Sequence, residues 1–257
     1  MSACNLILGP NRALIWTDSA VFNMAGEIIE HHRKTIPIEG MKAVVSVCGF
    51  PFIAEFLAKE IAHLAAEIGT TFDDIITSDG ALVDEVFTVV APFAPTLGTL
   101  PRRFWITGWS ETDGCPKCLG FSLEDGVCVW RPVESDFAPP LGEAALLMIY
   151  GAVGQASRPG FDKRTIGVPL MQAQRASLAE VPQTFEGPLI PGGAILETLI
   201  TAEGVSQTVV STWAEDLTAT RPASSSALGR LISANTQGGQ VAVLNRAARR
   251  RAERFDA

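Results

Sequence analysis

Long apolar runs, dense charge and an even set of cysteines are all missing from this chain of 257 residues. A membrane-crossing helix needs roughly 20 consecutive apolar residues, whereas the longest such stretch here, Ala144 to Gly154, is about half that and contains Tyr150. No membrane span is therefore expected. Only 19% of the residues are charged and 47% are apolar, which is too little charge and too much core-forming material for a disordered chain. The 23 glycines and 16 prolines fall far short of a collagenous or low-complexity composition. Five cysteines, an odd number in a chain long enough to build its own core, predict reduced thiols rather than a disulfide framework. Met1 to Asn5 carries no basic residue, and Leu6-Ile7-Leu8 is too short for the core of a signal peptide, so a cytoplasmic protein is expected. The balance of 28 acidic against 20 basic side chains, a net charge of −8, excludes a general nucleic-acid coat, because phosphate contacts need clustered Lys and Arg.

What is present reads as sheet first and helix second. Asn5 to Leu8 and Arg12 to Thr17 are apolar runs on either side of Gly9-Pro10-Asn11, which is turn chemistry and predicts a hairpin. Gly26 to Glu30, Lys34 to Ile38 and the β-branched run Lys42 to Cys48 continue as strands. The period then changes. Ile53, Leu57, Ile61, Leu64 and Ile68 lie three or four apart, which predicts a helix over 50–68, and a second helix is expected over 73–90 with Gly80 as a break point. Strands follow at 103–109, 117–123 and 127–130, helices at 141–150 and 165–178, and a strand pair, 194–201 with 206–213, around Glu203-Gly204. Segregated blocks of this kind predict an α+β protein, with two antiparallel sheets packed face to face and flanked by helices, as opposed to strict β-α alternation. Residues 1–217 read as one domain, and 218–257 as a C-terminal extension that opens with a Thr/Ser/Ala/Pro-rich loop and ends in an Arg-rich helix.

The opening segment carries the chemistry. Loss of Met1, favoured when the next side chain is small, would expose Ser2 with a free α-amine. A serine hydroxyl attacks only when a base takes its proton, and an N-terminal residue owns such a base in an amine of pKa about 8. The base works best beside a cation that keeps it unprotonated, and the cation needs an anion to hold it. Asp18 lies sixteen positions after Ser2, and Lys34 sixteen after Asp18. In this register Ser2 to Leu8, Ala13 to Ser19, Lys34 to Ile38 and Val44 to Gly49 resemble the N-terminal nucleophile hydrolases, in particular the proteasome β-subunits and their bacterial ring-peptidase relatives.

That resemblance implies a four-layer αββα sandwich and an amidohydrolase or peptidase. Ser2 would be the nucleophile, Lys34 the cation and Asp18 its holder, with main-chain N–H groups at Cys48-Gly49 as oxyanion donors. It further implies a peptide or amide substrate, a homo-oligomeric or ring partner, and neither cofactor nor metal. Two later stretches look similar as well: Met148 to Gly154 to the family's strand-to-helix turn, and Pro191-Gly192-Gly193-Ala194-Ile195 to its closing hairpin. The departure is at Pro188 and Pro191, which stand where many active β-subunits carry an Asp and a Ser supporting the α-amine. A catalytically inactive assembly or interaction subunit of the same fold is therefore the alternative expectation.

Other motifs carry less. Cys115-Pro116-Lys117-Cys118 has no second CxxC and no nearby histidine, so a reduced pair at a strand turn is expected in preference to zinc. Cys4 falls two positions short of the family register. Arg246 to Arg254 places five arginines on an otherwise acidic chain, which makes this tail the sole candidate for nucleic acid or an acidic partner surface, with a solvated helix as the plainer reading.

Overall fold

The computed structural model describes residues 3–22, 27–48, 51–78, 81–83, 103–124, 127–137, 142–156, 164–177 and 191–217. In chain order the strands are β1 (Cys4–Leu8), β2 (Ala13–Asp18), β3 (Ala20–Phe22), β4 (Ile28–His31), β5 (Thr35–Pro37) and β6 (Ala43–Cys48). Helices α1 (Pro51–Ile68) and α2 (Phe72–Thr77) follow, then β7 (Arg103–Ser110), β8 (Cys115–Glu124), β9 (Val127–Pro132) and β10 (Ser135–Phe137). The last third holds α3 (Glu143–Ala156), α4 (Arg164–Ala176), β11 (Ala194–Thr201), β12 (Gly204–Thr212) and the short α5 (Ala214–Leu217). The protein is thus mixed α+β, as expected, and all of its strand pairings are antiparallel among the described residues.

Among the described residues three sheets form where two were expected. One is ordered β10-β1-β2-β11-β12, another β5-β6-β7-β8-β9, and β3 pairs with β4 alone. The extra ribbon arises because the chain leaves the first sheet at Ser19. The N–H groups of Ser19 and Ala20 both turn to the Gly192 carbonyl, at 3.2 and 3.1 Å. Ala20 then faces His31 and Val21 faces Glu30, so the strand expected over 26–30 pairs outside the main sheets.

The apolar patterns explain the layers of contact. β2 and β6 are buried along their whole length, which is why each reads as a continuous apolar run without alternation. One core cluster joins Cys4, Leu6, Ala13, Ile15 and Ile200 of the first sheet to Val44, Cys48, Trp105, Trp109 and Cys118 of the second. A further cluster seats Ile53, Leu57 and Ile61 of α1 on Val45, Val47, Phe104, Ile106 and Phe121. In another, Ala145 and Ile149 of α3 and Ile166, Leu170 and Met171 of α4 lie on Ile7, Leu14, Trp16 and Ile195.

Several expectations need correcting. The helix expected over 73–90 stops at Thr77; a helical turn at 81–83 follows, and 84–90 lie outside the described residues. A capping box between Thr71 and Asp74 starts it, and the Thr77 and Ser78 hydroxyls end it by bonding back to the carbonyls of Asp73 and Ile75. Cys115 and Cys118 both sit inside β8, opposite Ser110 and Thr107. Three positions apart on a strand, they point to opposite faces and form no pair. Met148 to Gly154 is the middle of α3 and not a strand-to-helix turn, since its Ala- and Leu-rich flanks favour a continuous helix. Strand β10 escaped notice because it is only three residues long; it covers the edge of β1 and accepts the Trp105 indole N–H on Asp136 at 2.9 Å.

Two helical glycines make a matched test of the packing. A Cβ on Gly167 would collide with the indole of buried Trp16, whereas one on Gly151 would meet nothing within 4 Å. Gly167→Ala is expected to lower stability by about 2 kcal/mol, and Gly151→Ala to raise it by up to about 1 kcal/mol, both measured as shifts of the urea midpoint.

Candidate active site

The expected anion and cation meet. Asp18 closes β2, Lys34 lies one residue before β5, and their side chains pair at 2.7 Å with no solvent exposure on either. Lys34 is fixed through its main chain, whose carbonyl accepts the Val47 N–H of β6 at 2.9 Å. Its ammonium donates to the Ala20 carbonyl at 2.7 Å as well as to Asp18, which leaves one of its three donors without a partner among the described residues.

Asp18 is held equally firmly. Its Oδ1 accepts the Ala3 N–H at 2.9 Å, and its Oδ2, the oxygen bound to Lys34, also accepts the Gly192 N–H at 3.2 Å. A buried charge pair is tolerable when its remaining lone pairs and protons are largely satisfied, and here Ala3 just ahead of β1, Ala20 of β3 and the turn before β11 supply the further partners. Ser2 and Gly49 lie outside the described residues, as do Pro188 and the Arg246–Arg254 tail. Cys48, which ends β6, is buried.

Beside this pair lies a second polar cluster that sequence reasoning missed. The Gly192-Gly193 turn spends every main-chain group it owns. Besides the Gly192 bonds already given, the Gly193 N–H donates to Asp216 Oδ2 at 2.8 Å, and the Gly193 carbonyl accepts the Trp213 N–H at 2.8 Å. The next N–H, that of Ala194, donates to Ser19 Oγ at 2.8 Å, and Ser19 Oγ lies 3.0 Å from His31 Nδ1. Both glycines are required. Gly193 has φ +77, and a Cβ there would strike His31 and Ser19, while one on Gly192 would sit 2.8 Å from Asp216.

Asp216 in turn is bonded through both oxygens to the Arg175 guanidinium of α4, with Oδ1 at 3.0 Å from Nη2. Burial would raise the Asp216 carboxyl, but the Arg175 and Gly193 hydrogen bonds outweigh it and hold the group below the usual carboxylate range. The Asp216 hydrogen bond raises Arg175 correspondingly. Only the paired glycines gave any advance sign of this cluster; Asp216 sits in a four-residue helix with no periodic signature.

The cysteines stand apart from this chemistry. Burial pushes the Cys4 thiol well above its ordinary value and neighbouring Cys48 adds to the effect, so Cys4 is a packed thiol and not a thiolate nucleophile. Burial raises Cys118 to about 12, against the Thr107 hydrogen bond. Among the described residues no group of three or more His, Cys, Asp or Glu side chains is placed to hold a metal ion, and no helix is long and apolar enough to cross a membrane. A surface groove of about 760 Å³ runs between β5 and α1 past Ile36, Ala58, Ala62 and His63, and none of its lining residues belongs to the site. Compared with family models and with curated proteins, the sequence matches none.

Two outcomes follow from the electrostatics. Asp18→Asn or Lys34→Met, each leaving a lone buried charge, is expected to cost about 3–5 kcal/mol. The double variant should cost less than the sum of the two in a denaturation double-mutant cycle. For Asp216 the depressed folded-state pKa means that its contribution is full above the unfolded value of about 3.9 and disappears as pH falls through the folded one. The stability difference between wild type and Asp216→Asn is therefore expected to be constant near neutrality and to shrink below about pH 4, as read from thermal midpoints across pH.

Proposed function

We propose that the protein is an N-terminal nucleophile amidohydrolase or peptidase, similar to the proteasome β-subunits and bacterial ring peptidases, and that Ser2 acts once Met1 is removed. The observation that carries this reading is the solvent-free Asp18–Lys34 pair, bonded through Asp18 to the amide of Ala3, the residue covalently joined to Ser2. An ion pair with no exposure costs desolvation free energy and is a poor choice for stability alone. Its position one peptide bond from the expected nucleophile gives it a use. The core that joins the two five-stranded sheets, with α1 on one and α3 and α4 on the other, supports the finer architectural reading of a four-layer αββα sandwich.

In the proposed reaction Ser2 Oγ attacks the carbonyl carbon of an amide and its proton passes to the Ser2 α-amine. The same proton then goes to the leaving nitrogen as the C–N bond breaks, and water hydrolyses the resulting ester. Lys34 disfavours protonation of the amine and stabilises charge on Oγ; Asp18 holds Lys34. Main-chain N–H groups at Cys48-Gly49 stabilise the oxyanion. No cofactor enters these steps.

One observation favours the alternative, a noncatalytic assembly subunit. Pro191 offers the site no side-chain acceptor, and its carbonyl is committed to Arg175 at 3.0 Å. Such a subunit would have a surface to use, since α3 leaves Leu147 64% and Tyr150 73% exposed.

Intact-mass measurement and covalent labelling separate the two. The hydrolase is expected to lack Met1 and to be labelled by a peptide epoxyketone, with Ser2→Ala unlabelled. Retention of Met1, or equal labelling of wild type and Ser2→Ala, would reject the nucleophile and leave the assembly reading.

A further inference from the structure

The turn that donates to Asp18 does not hold itself in place. Gly192 and Gly193 are both glycine, the most flexible residue type, and Pro191 before them contributes neither an N–H nor a side-chain acceptor. Besides the main-chain bonds from Ser19, Ala20 and Trp213, two side chains from distant segments grip it. Arg175 of α4 donates to the Pro191 carbonyl at 3.0 Å on one side of Gly192, and Asp216 of α5 accepts the Gly193 N–H at 2.8 Å on the other. The two grips are joined, because the Arg175 guanidinium is bonded to both oxygens of Asp216. Arg175 also packs over the Trp213 ring at 4.8 Å and reaches the exposed Glu215 at 3.1 Å. Between the grips, the Gly192 N–H is aimed at the one Asp18 oxygen that also binds Lys34.

We propose that Asp216 and Arg175 are positioning residues, which act through the Gly192-Gly193 main chain to set the Asp18 carboxylate and thereby the Lys34 ammonium. The inference deepens the hydrolase reading and rests on it for its catalytic consequence. An exposed salt bridge would contribute little. Asp216 differs because its loss also orphans the buried Gly193 N–H, which must then find a new partner by moving the turn. A displacement of the order of 1 Å at a group that orients a catalytic centre costs up to about a hundredfold in rate. A loosened Asp18 also lets Lys34 draw back from the α-amine, and an amine with less positive charge beside it takes up its proton at higher pH.

The test is the second-order rate of peptide-epoxyketone labelling at Ser2 as a function of pH, for wild type, Asp216→Ala and Arg175→Gln. Glu215→Gln serves as the control that removes the other acid on the same guanidinium. Asp216→Ala, which removes the acceptor of the Gly193 N–H, is expected to lower the rate at least about tenfold and to move the acidic limb of its pH profile to higher pH. Arg175→Gln, which spares the Gly193 bond, is expected to do the same to a smaller extent, and Glu215→Gln to do neither. A uniform loss of rate with the limb unmoved, or no loss at all, would overturn the proposal, because a merely structural role scales the rate without changing the titration. Should Asp216→Ala fail to fold, Arg175→Gln carries the same comparison.

If wild type itself is not labelled, the hydrolase reading fails and amide hydrogen exchange at Gly192 decides the positioning claim alone. Exchange faster by about tenfold or more in Asp216→Ala, at a thermal midpoint high enough to keep it folded, supports the clamp. Unchanged exchange overturns it.

Discussion

The solvent-free contact between Asp18 and Lys34 is the constraint around which the rest of the protein is arranged. A carboxylate and an ammonium stripped of water need hydrogen-bond partners from the protein in place of water, so each neighbouring segment must arrive in register. The start of β1 brings the Ala3 amide, the exit of β2 brings the Ala20 carbonyl, and the turn into β11 brings the Gly192 amide. These segments are separated by most of the chain's length. The first sheet, with β2 between β1 and β11, is what makes their meeting possible. Fold and site are in this sense one problem, since the strand order that buries Leu14 and Ile15 also delivers the partners of Asp18.

The same constraint explains the irregular features nearby. The chain cannot continue β2 past Asp18 without carrying Ser19 and Ala20 away from Gly192, so it breaks into the separate β3–β4 ribbon. The paired glycines are small because His31, Ser19 and Asp216 crowd the space their side chains would need. His31 Nε2 is buried without a hydrogen-bond partner among the described residues, which marks the ribbon side of this cluster as its least satisfied edge. Polar groups thus crowd the turn, with the apolar side chains of Ala20 and Ile28 beside them at Gly192.

Local physics made much of this legible in the residues themselves. The hairpin at Gly9-Pro10-Asn11, the helix at Pro51–Ile68 and the hairpin closed by Gly204 each follow from turn chemistry or apolar spacing, which act over a few positions. Asp18 and Lys34 could be singled out only because their spacing from Ser2 resembles the register of a known family, not from local physics. What escaped was whatever depends on distant pairing. Strand β10 pairs with the edge of β1, and its Asp136 accepts from Trp105, both far away in the chain. Asp216 gains its place from Arg175, 41 positions away, and from a main-chain N–H, neither of which leaves a pattern in the sequence. The CxxC shows the converse failure, since a motif defined by spacing loses its meaning once a strand sends its two thiols to opposite faces.

Trp16 sits two residues before Asp18 on the same buried strand, and its indole donates to the Glu197 carboxylate at 3.0 Å from the neighbouring strand. The protein therefore carries an intrinsic fluorophore inside the element that presents its central carboxylate. Any event that lets water reach that strand alters the surroundings of this indole. With the other tryptophans replaced, its emission would report on the heart of the molecule without an attached dye.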